Sequence, residues 1–204
     1  MHVRLTTLVL AGASLLAPSL ALGAGTLEGF YGMARPPGTD FHSSVSGAVN
    51  DPEIFNHSQQ IAGADLMFNL DWFQFGAIAD YTWAKDKASQ TALGGLAGLK
   101  LMLGSVRLDL MGELGGHRYG SLQSTVNSGK DQWLAYVGLR PGIAFKFGPA
   151  DQPGMILGLW TWARWDLDAG SVPVTAGNAS NVTPGSLKLG GTSVGAAVRL
   201  GFDF

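Results

Sequence analysis

Hydrophobic and polar residues alternate at period two through most of this chain, most clearly in its last segment. From Ser193 to Phe204, the residues Val194, Ala196, Val198, Leu200, Phe202 and Phe204 form an unbroken apolar face. Opposite them stand Ser193, Gly195, Ala197, Arg199, Gly201 and Asp203, all small or charged. Side chains alternate across a strand, so this is one β-strand with an oily side and a polar side. Such a strand needs a neighbour for its backbone edge and an apolar medium for its oily face.

The same pattern recurs along the chain. It runs from Thr26 to Ala34 and stops at Arg35-Pro36-Pro37-Gly38, since proline cannot donate to a ladder. It returns from Gln60 to Leu70, with a tight turn expected at Asn69-Leu70-Asp71, and again from Phe73 to Trp83. A charged connection covers Ala84 to Thr91, and Leu93 to Leu103 then reverses at Gly104-Ser105 into a strand from Val106. That strand carries Arg107, Asp109, Met111, Glu113 and His117 on its polar side, and a Ser/Gly/Asn loop follows from Tyr119 to Lys130. Trp133 to Phe147 is the next strand, in which Pro141 marks a bulge or local break. Met155 to Leu167 precedes a Gly/Ser/Asn/Pro loop to about Ser186 and the closing strand. The pattern predicts eight strands whose connections alternate between long and short.

The character of the faces decides which way they point. In a secreted β-sandwich the oily face would be the core and the polar face would be rich in Lys, Glu and Thr. Here the polar faces carry Gly, Ala and Ser with isolated charges of both signs. These are Glu28, Asp65, Asp80, Lys100, Arg107, Asp109, Glu113, Arg140, Lys146, Arg164, Asp166, Arg199 and Asp203. That composition suits a narrow lumen, where small residues make room and charges must pair. Aromatics gather at strand ends: Phe73, Phe75, Phe145, Phe147, Phe202 and Phe204 at the short-turn end, and Tyr81, Trp83, Tyr119, Trp133 and Trp165 at the other. Two aromatic belts around an aliphatic band are what a bilayer selects, and the strands match the ~9–11 tilted residues that span one.

Composition narrows the picture further. Charged residues make up 14% of 204 residues at a net charge of -2, and there is no cysteine. This excludes a basic nucleic-acid binder, disulfide frameworks and thiol chemistry. Residues 1–24 have the layout of a secretory signal peptide: a cation at Arg4, an apolar run from Leu5 to Ala17, and small residues at Ala21-Leu22-Gly23-Ala24. Residues 25–204 are then the mature domain. No later stretch reaches the ~18 apolar residues of a spanning helix, so membrane insertion must use strands.

The signal peptide, the alternation of long and short connections and the ending Leu200-Gly201-Phe202-Asp203-Phe204 resemble the small bacterial outer-membrane β-barrels of the eight-stranded OmpA/OmpX type. The resemblance covers essentially the whole mature chain. It implies an all-β, eight-stranded antiparallel up-and-down transmembrane barrel in the bacterial outer membrane, with outer-membrane lipids and lipopolysaccharide around it. It also implies that the barrel-assembly machinery reads the C-terminal strand through Phe202 and Phe204.

Candidate chemistry is sparse. His117, with Glu113 and Ser121 or Ser124, is the set a lipid-A-modifying enzyme would draw on. Glu113 and His117 share a strand face but sit ~13 Å apart at ~3.4 Å per residue. His42 and His57, near Asp40 and Asp51, show no metal-ligand spacing. Asp166 and Asp168 are expected to neutralise Arg164. No catalysis, cofactor, metal or nucleic-acid partner is expected. The interior is expected to be a salt-bridged plug, and the role structural or surface-interacting, through the loops at 35–58 and 168–186. A narrow channel or carrier for small or hydrophobic solutes is the alternative, and a lipid-A-modifying enzyme a weaker one.

Overall fold

A computed structural model describes residues 24–36, 40–43, 58–83, 89–120, 132–149, 152–168, 170–176 and 183–204. The expected signal peptide therefore lies outside the described residues, save Ala24. Among these residues eleven strands run in chain order: β1 (Gly25–Arg35), β2 (Asp40–Ser43), β3 (Gln59–Leu70), β4 (Phe73–Trp83), β5 (Ser89–Leu103), β6 (Val106–Gly120), β7 (Gln132–Phe147), β8 (Gly154–Asp166), β9 (Gly170–Ala176), β10 (Thr183–Leu189) and β11 (Thr192–Asp203). Eight of them close into an antiparallel barrel in the order β1-β11-β8-β7-β6-β5-β4-β3.

The closing strand found its neighbour at the other end of the sequence. β1 and β11 pair from Thr26↔Asp203 to Arg35↔Val194. Beyond that ladder Gly25 and Phe204 exchange two backbone hydrogen bonds of 2.8 and 2.9 Å. Closure leaves the barrel no free edge, the condition for placing a sheet in lipid. The oily faces point outward: Leu70, Leu101, Leu114, Leu159, Val198 and Leu200 are all more than half exposed. Phe75, Phe145, Phe147 and Phe202 ring the short-turn end, and Tyr81, Trp133 and Trp165 the opposite end. The two-residue turns at 71–72 and 104–105 each begin on a positive-φ residue, Asp71 (φ 54°) and Gly104 (φ 63°), the backbone sign that a two-residue hairpin requires.

Three expectations need correction. The connections at 35–58 and 168–186 are not wholly loop. They contain β2, β9 and β10, which form a second sheet in the order β2-β10-β9. Prolines argued against strands there, yet both sit where the missing N–H costs little. Pro173 lies on the edge strand β9. Pro184 lies one residue beyond the end of the β10–β2 ladder at Gly185↔Ser43. Next, Ser89 to Thr91 belong to β5 and Asn69 and Leu70 to β3, so both connections are shorter than the breakers suggested. Tyr119 is not a belt aromatic, because β6 runs on to Gly120 and turns Tyr119 inward, where it is buried. At Pro141 the expected local break is present, without a bulge. The β7–β8 register is the same on both sides of it, from Leu139↔Ala163 to Gly142↔Trp160, and only the pairing between is interrupted.

Candidate functional site

The inward faces build the lumen, and all thirteen charged residues of the sequence pattern point into it. Strand parity does this: Arg107, Asp109 and Glu113 stand at alternate positions of β6, Arg140 and Lys146 on β7, and Arg199 and Asp203 on β11. Lys100 shares the inward face of β5 near the short-turn end and is half-buried.

The network nearest the short turns is centred on Arg107, which is fully buried. Its Nε donates to Asp109 Oδ1 at 2.8 Å, Nη1 to Asp203 Oδ1 at 3.0 Å, and Nη2 to Gln74 Oε1 at 2.9 Å. Gln74 Nε2 donates in turn to Asp109 Oδ1 at 2.9 Å. Thr26 Oγ1 donates to Asp203 Oδ1 at 2.6 Å, and Lys146 Nζ lies 3.1 Å from Asp203 Oδ2. Arg199 links this layer to the next, donating from Nη2 to Asp109 Oδ2 at 2.6 Å and from Nη1 to the Glu28 carboxylate at 3.3 Å. Glu28 also accepts from Trp160 Nε1 at 2.9 Å. Charges buried this deeply need partners, and Arg107, Asp109, Asp203 and Glu28 each have several, whereas Arg199 Nε has no hydrogen-bond partner.

The middle layer is Arg140, 3.2 Å from Asp65 Oδ2 and 3.6 Å from Glu113 Oε1. Above it Arg164 donates from Nε to Glu113 Oε2 at 2.5 Å and from Nη2 to Asp80 Oδ2 at 2.7 Å. The expected pairing of Arg164 with Asp166 and Asp168 is therefore wrong. Asp166 is held instead by His117 Nδ1 at 2.9 Å and by the Tyr119 hydroxyl, which donates at 2.7 Å. Asp168 is exposed, two residues past Asp166, the last residue of β8.

Aromatic rings fill the space between these charges. The Arg199 guanidinium lies 4.0 Å from the Trp160 ring centre, and Arg140 lies 4.5 Å from that ring and 4.4 Å from Phe30. Phe30 meets Trp162 at 6.5 Å, and Arg164 lies 5.8 Å from Trp162 and 5.1 Å from Tyr136. Tyr136 stacks on His117 at 4.1 Å, which meets Tyr119 edge-on at 6.2 Å. One unbroken chain of rings and cations thus climbs from Arg199 to Tyr119. Glycines make room for the large rings: a Cβ on Gly142 would lie 2.4 Å from the Trp160 ring, and one on Gly195 would lie 2.0 Å from Trp162.

Trp160 is the most consequential residue that the sequence pattern did not single out. It is fully buried at the centre of the lumen, and its parity with Trp162 and Arg164 is the signal that would have found it. Among the candidates for chemistry, His117 is buried in the lumen. Ser121, Ser124, His57 and Asp51 lie outside the described residues, and no side-chain geometry is described for His42 or Asp40. Among the described residues no cluster of His, Asp and Glu could hold a metal ion.

No protein-family model matches the chain. No curated protein is similar to it in sequence. Solved structures are similar in fold. The outer membrane protein OprG from Pseudomonas aeruginosa superposes with a TM-score of 0.58 at 11% identity, over 89% of this chain and 96% of that one. Neisserial surface protein A superposes with a TM-score of 0.51 at 14% identity, over 87% of this chain and 97% of that one. With eight closed strands, an oily outer surface between two aromatic belts and these two likenesses, the chain has the fold of the small eight-stranded bacterial outer-membrane β-barrels.

Proposed function

We propose that this protein is a sealed outer-membrane barrel that anchors and displays extracellular chain, acting through the segments around 35–58 and 168–186 and neither conducting nor catalysing. The observation that carries this reading is the continuous filling of the lumen, in which Arg107, Arg140, Arg199, Trp160 and Tyr136 are all at most 1% exposed. An eight-stranded barrel is just wide enough for its own side chains, and here they are large and mutually bonded. What remains for contact with other molecules is the end carrying the long connections, where β2, β9 and β10 join into a sheet beyond the barrel strands. Outer-membrane lipid and lipopolysaccharide surround the girdle, and Phe202 on β11 and Phe204 just beyond it present the strand to the barrel-assembly machinery.

The enzyme reading finds little support. His117 is committed through Nδ1 to Asp166 and stacked on Tyr136 inside the barrel, away from the lipid a lipid-A-modifying residue would have to reach. The channel reading has no specific observation in its favour.

Display is tested by an epitope tag inserted between β9 and β10, at 177–182. Antibody labelling of intact cells is expected. Labelling only after the outer membrane is permeabilised would contradict the reading.

A further inference from the structure

The cations of the barrel wall are distributed unevenly between its two ends. On the barrel strands Lys100, Arg107, Arg140, Lys146, Arg164 and Arg199 face the lumen. Arg35 on β1 and Arg118 on β6 are exposed and turn outward, and both lie at the end that carries the long connections. At the short-turn end the described barrel strands turn no cation outward. A cation on a lipid-facing surface is costly unless it sits at headgroup depth, where anionic lipid attracts it. The asymmetry matches a bilayer whose outer leaflet carries phosphorylated lipid.

Arg118 stands in a row whose other members suit that depth. Strand pairing sets Tyr31, Ala62, Tyr81, Thr91, Arg118 and Trp133 level on the outward face of successive strands. Tyr81 and Trp133 are exposed, and such rings settle at the headgroup boundary. Thr91 is directly opposite Arg118, with the ~5 Å between Cβ atoms that facing residues have. Next on the outward face of β6, toward the short turns, is Gly116, where a Cβ would lie 3.1 Å from the Trp133 ring. The glycine lets that ring lie close against the wall beside Arg118. Leu93, level with Gly116, and Leu114 below it are exposed and continue the oily band.

A guanidinium meets a phosphate through paired N–H donors, and a threonine hydroxyl adds one more donor beside it. We infer that Arg118 and Thr91, flanked by Tyr81 and Trp133, form a binding site on the outer wall of the barrel for a phosphate of lipid A, the outer-leaflet glycolipid. Its acyl chains descend over Leu93 and Leu114. Arg35 is the contrast within the same molecule. Its paired neighbour is Val194, so it carries the same charge outside the setting of Thr91 and Trp133. The site depends on the membrane placement of the barrel and not on whether the lumen is sealed.

Native mass spectrometry tests the site on the full barrel, folded in a non-ionic detergent, with bis-phosphorylated lipid A, dephosphorylated lipid A and phosphatidylglycerol as probes. The wild type is expected to retain the bis-phosphorylated lipid about fivefold more than either of the others. Arg118→Gln is expected to lower that retention about fivefold and Thr91→Val about twofold, with little change in Arg35→Gln. Heat-modifiable migration on gels verifies that each variant is folded. Arg118→Lys, which keeps the charge but gives up the paired donors, replaces Arg118→Gln if that variant is not folded, with a loss of about twofold expected. A wild type that retains no lipid A overturns the proposal, as does equal retention of dephosphorylated lipid A or of phosphatidylglycerol. An equal loss in Arg35→Gln and the Arg118 variant also overturns it, since net charge alone would then explain the binding. A conducting barrel that keeps this selectivity leaves the site standing and removes only the sealed lumen; a sealed barrel without it removes only the site.

Discussion

The Arg199 guanidinium lies 4.0 Å from the centre of the Trp160 ring, at the midpoint of a lumen that holds more charge than most protein cores. The contact explains how so many ions share a narrow space. The guanidiniums of Arg140, Arg164 and Arg199 meet carboxylates at their edges and an aromatic ring at their faces, so the ring occupies volume that would otherwise expose the charge. A desolvated pair of this kind contributes about 2 kcal/mol. Trp160 also donates to Glu28, tying the apolar filling to the ionic network.

Trp160→Ala removes that filling. It is expected to destabilise the barrel by about 3–5 kcal/mol, the cost of deleting a buried aromatic, read by equilibrium unfolding in lipid vesicles. Gly142→Ala attacks the same contact from the other side, since the new Cβ would lie 2.4 Å from the ring. It is expected to cost about 1–3 kcal/mol in the wild type and much less in a Trp160→Leu background. Simple additivity of the two substitutions would show that Gly142 serves something other than the ring.

Arg107→Met leaves Asp109 and Asp203 without their central cation and is expected to cost about 3–5 kcal/mol in the same assay. Because the network is fully buried, the wild-type stability it supplies should change little between about 0.1 and 1 M salt. A strong salt dependence would mean that water and ions reach the network.

His117→Ala is expected to leave the lipid A of the host unchanged by mass spectrometry. A changed lipid A profile would make His117 catalytic and end the non-enzymatic reading.

Much of this architecture was legible because period-two alternation is a strong signal when both faces are extreme. Thirteen lumen charges against unbroken Leu and Val rows left little choice of face, and the pairing of β11 with β1 followed from the need to remove edges. Partner assignment inside the lumen was not legible. Strand parity says that Arg164 and Asp166 face inward, but only barrel curvature and register decide that Arg164 reaches Glu113 and Asp80 while Asp166 turns to His117. Trp160 was overlooked because a bulky aromatic reads as lipid-facing unless its parity is counted. The β2-β10-β9 sheet was hidden by Pro173 and Pro184, which lower strand propensity although both occupy positions with a ladder on one side only.

Single-channel recording of the purified barrel in planar bilayers tests the sealed lumen most directly. The chain of contacts from Arg199 to Tyr119 is expected to give a flat baseline at all holding potentials, with stepwise openings appearing in Trp160→Ala. Stable stepwise conductance in the wild type would contradict the account.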